Sequence, residues 1–394
     1  MTSSFVFSLC LCMYYVNANP SPPPRPVADD ASGRCPAPRN CSAPPAATGA
    51  VHVMASRASW GGHDNYYHYF YGRLVPLLHW FAATAPGRGD AVVVNDADLR
   101  PRELWTPYLL ERVLAPHLCR AAPPRLLHLA QGRNDSAIAV ALAAAGLPVG
   151  DVRVHAFQVG MDVSMYGCGS LDAAAKATLA AQIDAARRLA VAACGCCARQ
   201  AGDALVVAVL ERHEDQRFSK YGPRTVPNLG DVAAALRDRA AAWASELGAA
   251  VDVVHVEFQA MSHCAQWCAV DGAAVVLGQH GAGLANAAFL RGGHAGLVEI
   301  APEPMAFKTL FHCVAGLRGS HYGRVLQDSA TAPVDVDATL GAVETVLRRA
   351  AANATPADRY PDTKLREEMR RHCAPRGEAL RAGFSPGWRR RIAC

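Results

Sequence analysis

Short apolar runs alternate with longer segments of helical periodicity along most of this chain. Runs such as ALVVAVL at residues 204–210 and AAVVLG at residues 273–278 are apolar at nearly every position. A continuous run of this kind is typical of a strand that is buried on both faces of a sheet. We therefore predict strands at residues 91–95, 125–129, 152–157, 204–210, 251–257, 273–278, 296–300 and 321–326.

The segments between these strands carry apolar residues at helical spacing. We predict helices at residues 65–83, 102–114, 136–145, 171–193, 231–247, 262–270, 304–316 and 335–350, and a helix that follows the Gly-rich turn after residue 278 and ends at about residue 290. Strands that alternate with helices of this length are typical of parallel, doubly wound sheets. The predicted fold class is therefore α/β. Because both halves of the chain show the same alternation, we expect two Rossmann-like domains that face a cleft.

Composition divides the chain into five parts. Residues 1–18 contain the apolar run FVFSLCLCMYYV, which is shorter than the roughly 20 residues of a membrane span. A secretory signal peptide, a short signal anchor and a buried N-terminal strand all fit this run. Residues 19–50 form a Pro-rich stem or linker, and residues 51–200 and 201–350 form the two predicted domains. Residues 351–394 form a basic, helical tail.

The overall composition excludes several classes of protein. Hydrophobic residues make up 51% of the 394 residues and charged residues 19%, which excludes whole-chain disorder and a coiled coil. A multi-span membrane protein is excluded because no apolar run is long enough. The formal net charge is +5, but no basic patch with interleaved aromatic residues is present, so we expect no nucleic-acid partner.

Sequons and cysteines favour a secretory route. Of the 14 cysteines, two lie in the apolar N-terminal run, which leaves an even number for disulfides in an oxidising lumen. Three cysteines crowd at residues 194–197, while Cys264 and Cys268 are spaced like one face of a helix. Their pairing is left open, and a zinc site would need a different ligand spacing. The predicted N-glycosylation sites are Asn40, Asn134 and Asn353.

One segment carries the chemistry. The sequence GQHGAGLAN at residues 278–286 follows a predicted strand and opens a helix. Glycines let the backbone turn tightly and approach a ligand, and unpaired N–H groups at a helix start suit phosphate. The segment is neither a dinucleotide fingerprint nor a Walker loop. A tight strand–helix turn without a ligand is the alternative interpretation.

This segment and three others resemble the motifs of glycosyltransferase family 61. The matching residues are HGAGLANAAF at 280–289 followed by VEIAP at 298–302, with a short helix before that strand at 261–266. Further matches are Arg212 with RTVPN at 224–228, and NYYHYF at 65–70. The chain departs from the family pattern in a long insertion between Arg212 and Arg224, which contains Lys220, and in Val226-Pro227.

The resemblance implies an inverting, metal-independent transferase with the two-domain GT-B architecture. Such an enzyme moves xylose, arabinose or N-acetylglucosamine from a UDP-sugar to a glycan or glycoprotein acceptor in the Golgi or the ER. It implies no cofactor, no metal and at most one N-terminal membrane anchor. A catalytically inactive, lectin-like or scaffold protein of the same fold is the alternative.

The resemblance and the chemistry of the side chains together suggest roles for individual residues. Backbone donors after the strand and two guanidinium groups suit a diphosphate, and a carboxylate at the end of a strand suits ribose hydroxyls. The predicted nucleotide-sugar site consists of Arg212, Arg224, Asn228, His280, Gly281, Ala282, Gly283, Asn286 and Glu299.

An inverting transfer also needs a general base for the acceptor hydroxyl. We predict His68 in this role, because histidine titrates near neutral pH and His68 lies among aromatic residues that suit a sugar. His63, Asp64 and Asp96 are the other candidates. Asp96 and Asp98 also form a D-x-D pair at a strand end, which suits a divalent cation in other glycosyltransferases.

Overall fold

The computed structural model of the chain describes residues 51–56, 70–71, 75, 78–80, 91–95, 125–129, 152–157, 173–196, 203–212, 224–306 and 308–354. The predicted signal segment, the stem and most of the basic tail lie outside these residues. So do the predicted helices at 102–114 and 136–145. The described residues form a mixed α/β structure with two parallel sheets, which confirms the predicted fold class.

The first sheet has four parallel strands. They are β1 (Val51–Ser56), β2 (Ala91–Asn95), β3 (Arg125–Leu129) and β4 (Val152–Phe157), in the order β3-β2-β1-β4. This is the order of a Rossmann half-sheet. The predictions for β2, β3 and β4 are confirmed with the same bounds. Strand β1, which pairs with both β2 and β4, was missed, because its short VHVMAS run directly follows the Pro- and Ala-rich stem.

The second sheet has five parallel strands. They are β5 (Leu205–Glu211), β6 (Val251–Glu257), β7 (Ala273–Gln279), β8 (Gly296–Pro302) and β9 (His321–Gln327), in the order β6-β5-β7-β8-β9. In this order the chain leaves β5 toward one side of the sheet and β7 toward the other. The carboxyl ends of β5 and β7 therefore form a switch point, where ligands bind in open α/β sheets.

Helices cover both faces of the second sheet. One face packs against α2 (Leu229–Leu247) and α5 (Val336–Ala351). The other packs against α1 (Ala173–Ala193), α3 (His263–Gly272), α4 (Leu310–Arg318) and a 3-10 helix at Ala282–Phe289. Shorter 3-10 turns lie at Phe258–Ala260, Gly292–His294 and Glu303–Met305. Burial on both faces explains why the central strands β5 and β7 are continuous apolar runs.

Side-chain caps place the starts of two helices. The Ser262 hydroxyl accepts a hydrogen bond from the Ala265 N–H group at 3.2 Å, so α3 begins where the sequence predicts. The Asp335 carboxylate caps α5 in the same way, through the Ala338 N–H group at 2.9 Å. A side-chain oxygen at this position satisfies an N–H group that has no partner inside the helix.

Two of the predicted helices were wrong in type or extent. Residues 282–289 form a 3-10 helix instead of an α-helix, and six of the eight side chains are buried. The segment lies so close to β7 that a Cβ atom on Gly278 would be 3.0 Å from the Leu284 side chain. Tertiary packing therefore overrides the local helical pattern. The helix predicted at 304–316 is divided into the turn at Glu303–Met305 and α4.

Residues before position 200 contribute to the core of the second sheet. The Phe70 ring packs edge-on against Phe289 at 5.6 Å between centroids, and the Tyr71 hydroxyl donates to the Ala285 carbonyl at 2.9 Å. Helix α1 belongs to the same core. The aromatic segment and α1, which the sequence assigns to the N-terminal domain, therefore pack against the sheet of the C-terminal half.

Two disulfides join the end of α1 to α3. Cys194 pairs with Cys264 and Cys196 pairs with Cys268. The i,i+4 spacing of Cys264 and Cys268 places both sulfurs on the face of α3 that meets the CGC turn, and Cys313 is disulfide-bonded as well. These bonds confirm the predicted disulfides and indicate an oxidising, secretory-type environment. None of the helices in the described ranges has the length and hydropathy of a membrane span.

Candidate functional site

The switch point of the second sheet brings together three of the predicted site residues. Arg212 follows the end of β5, and His280 follows the end of the adjacent strand β7. Arg224 begins the segment that leads into α2 and reaches the same place, where its Nη1 donates to the His280 carbonyl at 3.2 Å. Residues that are 12 to 68 positions apart in the sequence thus share one sheet edge.

Arg212 lies directly on the glycine turn. A Cβ atom on residue 281 would overlap the Arg212 guanidinium. Gly281 itself has an extended backbone, so glycine here allows the close approach of the arginine and serves no unusual dihedral angle. A larger residue would displace the guanidinium. The positive charge of Arg212 is therefore held against the backbone that opens the 3-10 helix.

A network of two glutamines holds the Arg224 segment in place. The Gln279 side-chain amide donates to the Thr225 carbonyl at 3.1 Å, to the Ala330 carbonyl at 2.9 Å and to Gln327 Oε1 at 2.6 Å. The Gln327 amide in turn donates to the Thr225 carbonyl at 3.0 Å. The residue next to Arg224 is thus tied to the ends of β7 and β9. Sequence reasoning missed both glutamines, although each is a polar residue at the end of an apolar strand.

Asn228 anchors the same segment from its other end. Its amide donates to the Val334 carbonyl at 2.9 Å and accepts from the Val334 N–H group at 2.9 Å. Asn286 is likewise engaged inside the protein, where it donates to Gln266 Oε1 at 3.0 Å. Both asparagines hold the loops that form the site, and the nucleotide contacts predicted for them stay predictions.

His280, Glu299 and Tyr322 form a buried chain of hydrogen bonds. The His280 ring meets Glu299 Oε1 through Nδ1, and the Tyr322 hydroxyl donates to Glu299 Oε2. Glu299 is 0% exposed and His280 is 4% exposed. Because Glu299 is fully buried, the ribose contact predicted for it stays a prediction. Tyr322 was missed, although it is a polar aromatic residue in an otherwise buried strand.

The protonation states of this pair follow from its surroundings. Burial lowers the pKa of His280, the contact with Glu299 offsets part of this effect, and the nearby charges of Lys308 and Arg224 lower the pKa further. Burial by itself raises the pKa of the Glu299 carboxyl, but interactions with His280, Arg324 and Tyr322 hold that pKa below its ordinary value. A neutral imidazole therefore donates from Nδ1 to an ionised carboxylate. Lys308 is buried beside the pair and was also missed, because a single lysine carries no motif.

A pocket of about 260 Å³ lies beside the turn. Three apolar side chains, Leu210, Val226 and Leu229, form part of its wall. Arg212 lines the pocket and also covers Gly281, so the pocket and the turn share this guanidinium. The remaining lining residues are Glu211, Thr225 and Gln279.

The start of the 3-10 helix provides backbone donors. The first N–H groups of a helix have no partner within it, and Gly281, Ala282 and Gly283 lie at this end. Eight residues of 3-10 helix make a short dipole. The neighbouring arginines therefore contribute most of the positive potential.

Several predicted residues lie outside the described ranges. They are the candidate bases His63, Asp64, His68 and Asp96, together with Asp98, Asn40 and Asn134. Asn353 is described, and it is exposed just after α5 with φ of 44°. Within the described ranges, no three His, Cys, Asp or Glu side chains come together in a way that could hold a metal ion.

Neither a protein-family model nor a curated protein sequence matches this chain. The likeness to glycosyltransferase family 61 therefore rests on the short motifs named above. Function must be argued from the site itself.

Proposed function

We propose that this protein is an inverting glycosyltransferase of the GT-B type. It transfers a pentose or N-acetylglucosamine from a UDP-sugar to a glycan or glycoprotein acceptor in the lumen of the ER or Golgi. The observation that carries the proposal is the arrangement at the switch point, where two arginines and a glycine turn meet next to a pocket. The paired α/β sheets support the two-domain architecture, and the disulfides support the lumen.

The charge of the site suits a diphosphate. Arg212, Arg224 and Lys308 bring three positive charges to the surroundings of His280, while Glu299 brings one negative charge. When a glycosidic bond to a nucleoside diphosphate breaks, negative charge grows on the leaving oxygen. Positive groups that are already in place stabilise that charge and lower the barrier. This arrangement supports leaving-group stabilisation without a metal ion.

The pocket suits the nucleoside part of the donor. Its apolar wall fits the face of a pyrimidine ring, and its polar residues fit ribose hydroxyls. Because Arg212 touches both the pocket and the turn, a nucleoside in the pocket extends its phosphates toward Gly281. A nucleoside diphosphate has a similar division, with an aromatic base at one end and negative charge at the other.

The acceptor side of the reaction is assigned to His68 as general base. Phe70 and Tyr71, which follow His68 by two and three residues, pack against Phe289 and Ala285 of the 3-10 helix that begins beside His280. This packing supports an assignment of the His68 segment and the phosphate turn to one catalytic centre. Replacement of His68 by Ala should lower turnover by about 10²–10⁴-fold and leave UDP affinity nearly unchanged.

Calorimetric titration of the full chain with UDP in excess EDTA tests the proposal. We expect binding without metal, and Arg224→Ala should weaken it roughly 10- to 150-fold, since a charge-assisted hydrogen bond contributes about 1.5–3 kcal/mol. Arg239→Ala is the matched control, because Arg239 pairs with Glu344 on the exposed side of α2. If UDP does not bind, or binds only after addition of Mn²⁺, the proposal is wrong.

A second measurement separates an enzyme from an inactive binder. Release of UDP from UDP-xylose, UDP-arabinose and UDP-N-acetylglucosamine is followed with and without glycoprotein acceptors. An enzyme turns over at least one donor. UDP binding with no turnover of any donor would favour the lectin-like or scaffold alternative.

A further inference from the structure

The hydrogen-bond chain of His280, Glu299 and Tyr322 has a fixed direction. The Tyr322 hydroxyl is a donor at neutral pH, so Glu299 Oε2 is an acceptor. Glu299 Oε1 then accepts from His280 Nδ1. The neutral imidazole has a single proton, and this contact places it on Nδ1. His280 Nε2 therefore carries a lone pair, and the described residues provide no hydrogen bond to it.

The backbone fixes the ring in this position. The His280 N–H group donates to the carbonyl of Ile300, the residue after Glu299, at 2.8 Å. On the other side, the Phe311 ring contacts the imidazole edge-on at 5.0 Å between centroids. The ring thus cannot turn to exchange its two nitrogens without breaking the contact with Glu299.

A lone pair is the wrong group to meet a phosphate. A phosphate oxygen accepts hydrogen bonds, and so does the unprotonated Nε2 of His280, so the two repel each other. If Nε2 takes up a proton, the imidazolium donates a charge-assisted hydrogen bond to the phosphate, and Glu299 stabilises the new charge from the opposite side. The proton comes from solvent, and no other bond changes.

We infer that Glu299 is a positioning residue that holds His280 with its proton on Nδ1, so that the diphosphate of the donor binds together with one proton at Nε2. This inference rests on the proposed function, because it needs a diphosphate at the turn. It assigns Glu299 a task other than ribose binding.

The charges around His280 agree with this inference. Arg224 and Lys308 act on the ring from two separate segments, and Arg212 lies against the next residue, Gly281. Glu299 contacts the ring from β8, and Tyr322 and Arg324 act on Glu299 from β9. In the free protein, burial and the nearby cations hold the pKa of His280 below its ordinary value. A bound diphosphate adds negative charge next to the ring and raises that pKa. Between the two pKa values, affinity should fall about tenfold for each unit by which the pH rises.

The probe for the test is a UDP-sugar and not UDP. The terminal phosphate of UDP is expected to titrate near pH ~6, as phosphate monoesters do, and would obscure uptake by the protein. In a UDP-sugar each phosphate carries one ester and one anhydride linkage, so neither has a second ionisation near neutral pH. Calorimetry at one pH in two buffers of different ionisation enthalpy then measures the protons taken up per molecule bound. We expect an uptake approaching one proton for the unchanged protein near neutral pH.

Glu299→Gln separates a positioning role from a structural one. The Gln amide donates to Nδ1, which forces the proton to Nε2, so a neutral His280 can now donate to phosphate. We expect proton uptake to disappear and affinity to become nearly independent of pH. Glu299→Asp restores the carboxylate and should restore the uptake. The control is Asp271→Asn, which alters another buried carboxylate and should leave the uptake per bound molecule unchanged.

Nitrogen NMR of histidine-labelled full-length protein tests the positioning without a ligand. The signal that disappears in His280→Asn should show a protonated Nδ1 and an unprotonated Nε2. A protonated Nε2 in the free protein overturns the inference, and so does UDP-sugar binding without proton uptake. In the second case, the proposed function still holds. If no UDP-sugar binds, the proposed function fails and the coupling to protons fails with it.

Discussion

Two carboxylates are buried in the core of the second sheet, and their partners give them different properties. Asp271 is 1% exposed. Its Oδ2 accepts a hydrogen bond from Arg291 Nε at 3.0 Å, and its Oδ1 lies 3.4 Å from Arg187 Nη2. Glu299 is 0% exposed and is held by His280 and Tyr322. Arginine stays charged at all accessible pH values, whereas histidine changes its charge near neutrality. The Asp271 cluster can only brace the fold, while the Glu299 chain can also exchange a proton.

The surroundings of the two carboxylates reinforce this difference. Asp271 lies near the end of α3, the helix that both disulfides attach to α1, and Arg187 belongs to α1. Arg318 joins the same region through Asp184 at 3.0 Å, and burial lowers its pKa to about 10, which leaves it charged. Glu299 lies in the middle of β8, an interior strand of the sheet, and its partner His280 follows the end of β7 at the switch point. The disulfides thus cross-link the helices beneath one face of the sheet, while His280 can change its protonation at the switch point.

Removal of the disulfides should have the largest effect on stability. Cys194–Cys264 and Cys196–Cys268 close loops of 70 and 72 residues, and loops of this length correspond to roughly 4 kcal/mol for a single cross-link. We expect Cys194→Ser with Cys264→Ser to lower the free energy of unfolding by about that amount or less, because the second bond still constrains the chain. Urea unfolding in the absence of reductant measures it. An unchanged urea midpoint would show that this disulfide between the end of α1 and α3 does not contribute to stability.

The next effect is a difference in the free energy of unfolding between variants of the two carboxylates. Asp271→Asn leaves two guanidinium groups in the core without their counter-charge, and we expect a loss of about 3–5 kcal/mol. Glu299→Gln keeps its hydrogen-bonding partners and should lose about 1–3 kcal/mol. The same urea titration compares them. Equal losses, or a larger loss for Glu299→Gln, would contradict the expectation that the Asp271 ion pairs contribute more to stability than the Glu299 hydrogen bonds.

The dependence of stability on pH should come in part from His280. Burial lowers the pKa of His280, so the unfolded chain binds a proton near pH 6.5 that the folded protein does not bind. Stability should therefore be greatest above pH 6.5 and fall below it, by up to about 1.4 kcal/mol per pH unit for each such histidine. Burial also lowers the pKa of His263, to about 4, which adds to the same slope.

Variants test the source of that slope. Thermal unfolding between pH 7 and pH 5 should depend less steeply on pH in His280→Asn than in the unchanged protein. The exposed His294 provides the control, because His294→Gln should keep the original slope. If His280→Asn keeps that slope as well, His280 is already protonated in the folded protein at neutral pH.

The smallest effect is expected at Asn353. This exposed sequon residue follows α5, and its side chain lies near Gly293, two residues after Arg291 of the Asp271 cluster. We expect a glycan there in protein from the secretory route, seen as a mobility shift that endoglycosidase removes. Asn353→Gln should change stability by less than about 0.5 kcal/mol, as is usual for surface substitutions. A larger loss would mean that the surface next to the Asp271 ion pairs also contributes to the stability of the fold.

Much of the fold could be predicted from local patterns. All eight predicted strands match the structure within two residues at each end, and each was predicted from its local sequence alone. The predicted starts of α3 and α5 were correct within one residue, and Ser262 and Asp335 cap these helices through N–H groups three residues later. Strand β1 was not predicted, because a short run that contains a polar residue and follows a Pro-rich stem does not show the pattern of a buried strand.

The candidate site was predictable only in part. Arg212, Arg224 and the turn at His280 were singled out by residue type and resemblance, and the structure brings them to one sheet edge. The contacts of Glu299 were not predicted, because His280 lies 19 residues before Glu299 and Tyr322 lies 23 residues after it. Such distances are bridged by crossover connections, whose geometry no local pattern contains.

The sequence by itself therefore determined the alternation of strands and helices, the burial of the second sheet on both faces and the presence of disulfides. These follow from hydrophobic period and residue type, which act over a few positions. Tertiary structure decided the strand order, the pairing of the cysteines, the 3-10 form of residues 282–289 and the direction of the hydrogen bonds at Glu299. These depend on which segments meet in space, and the packing of whole elements settles that.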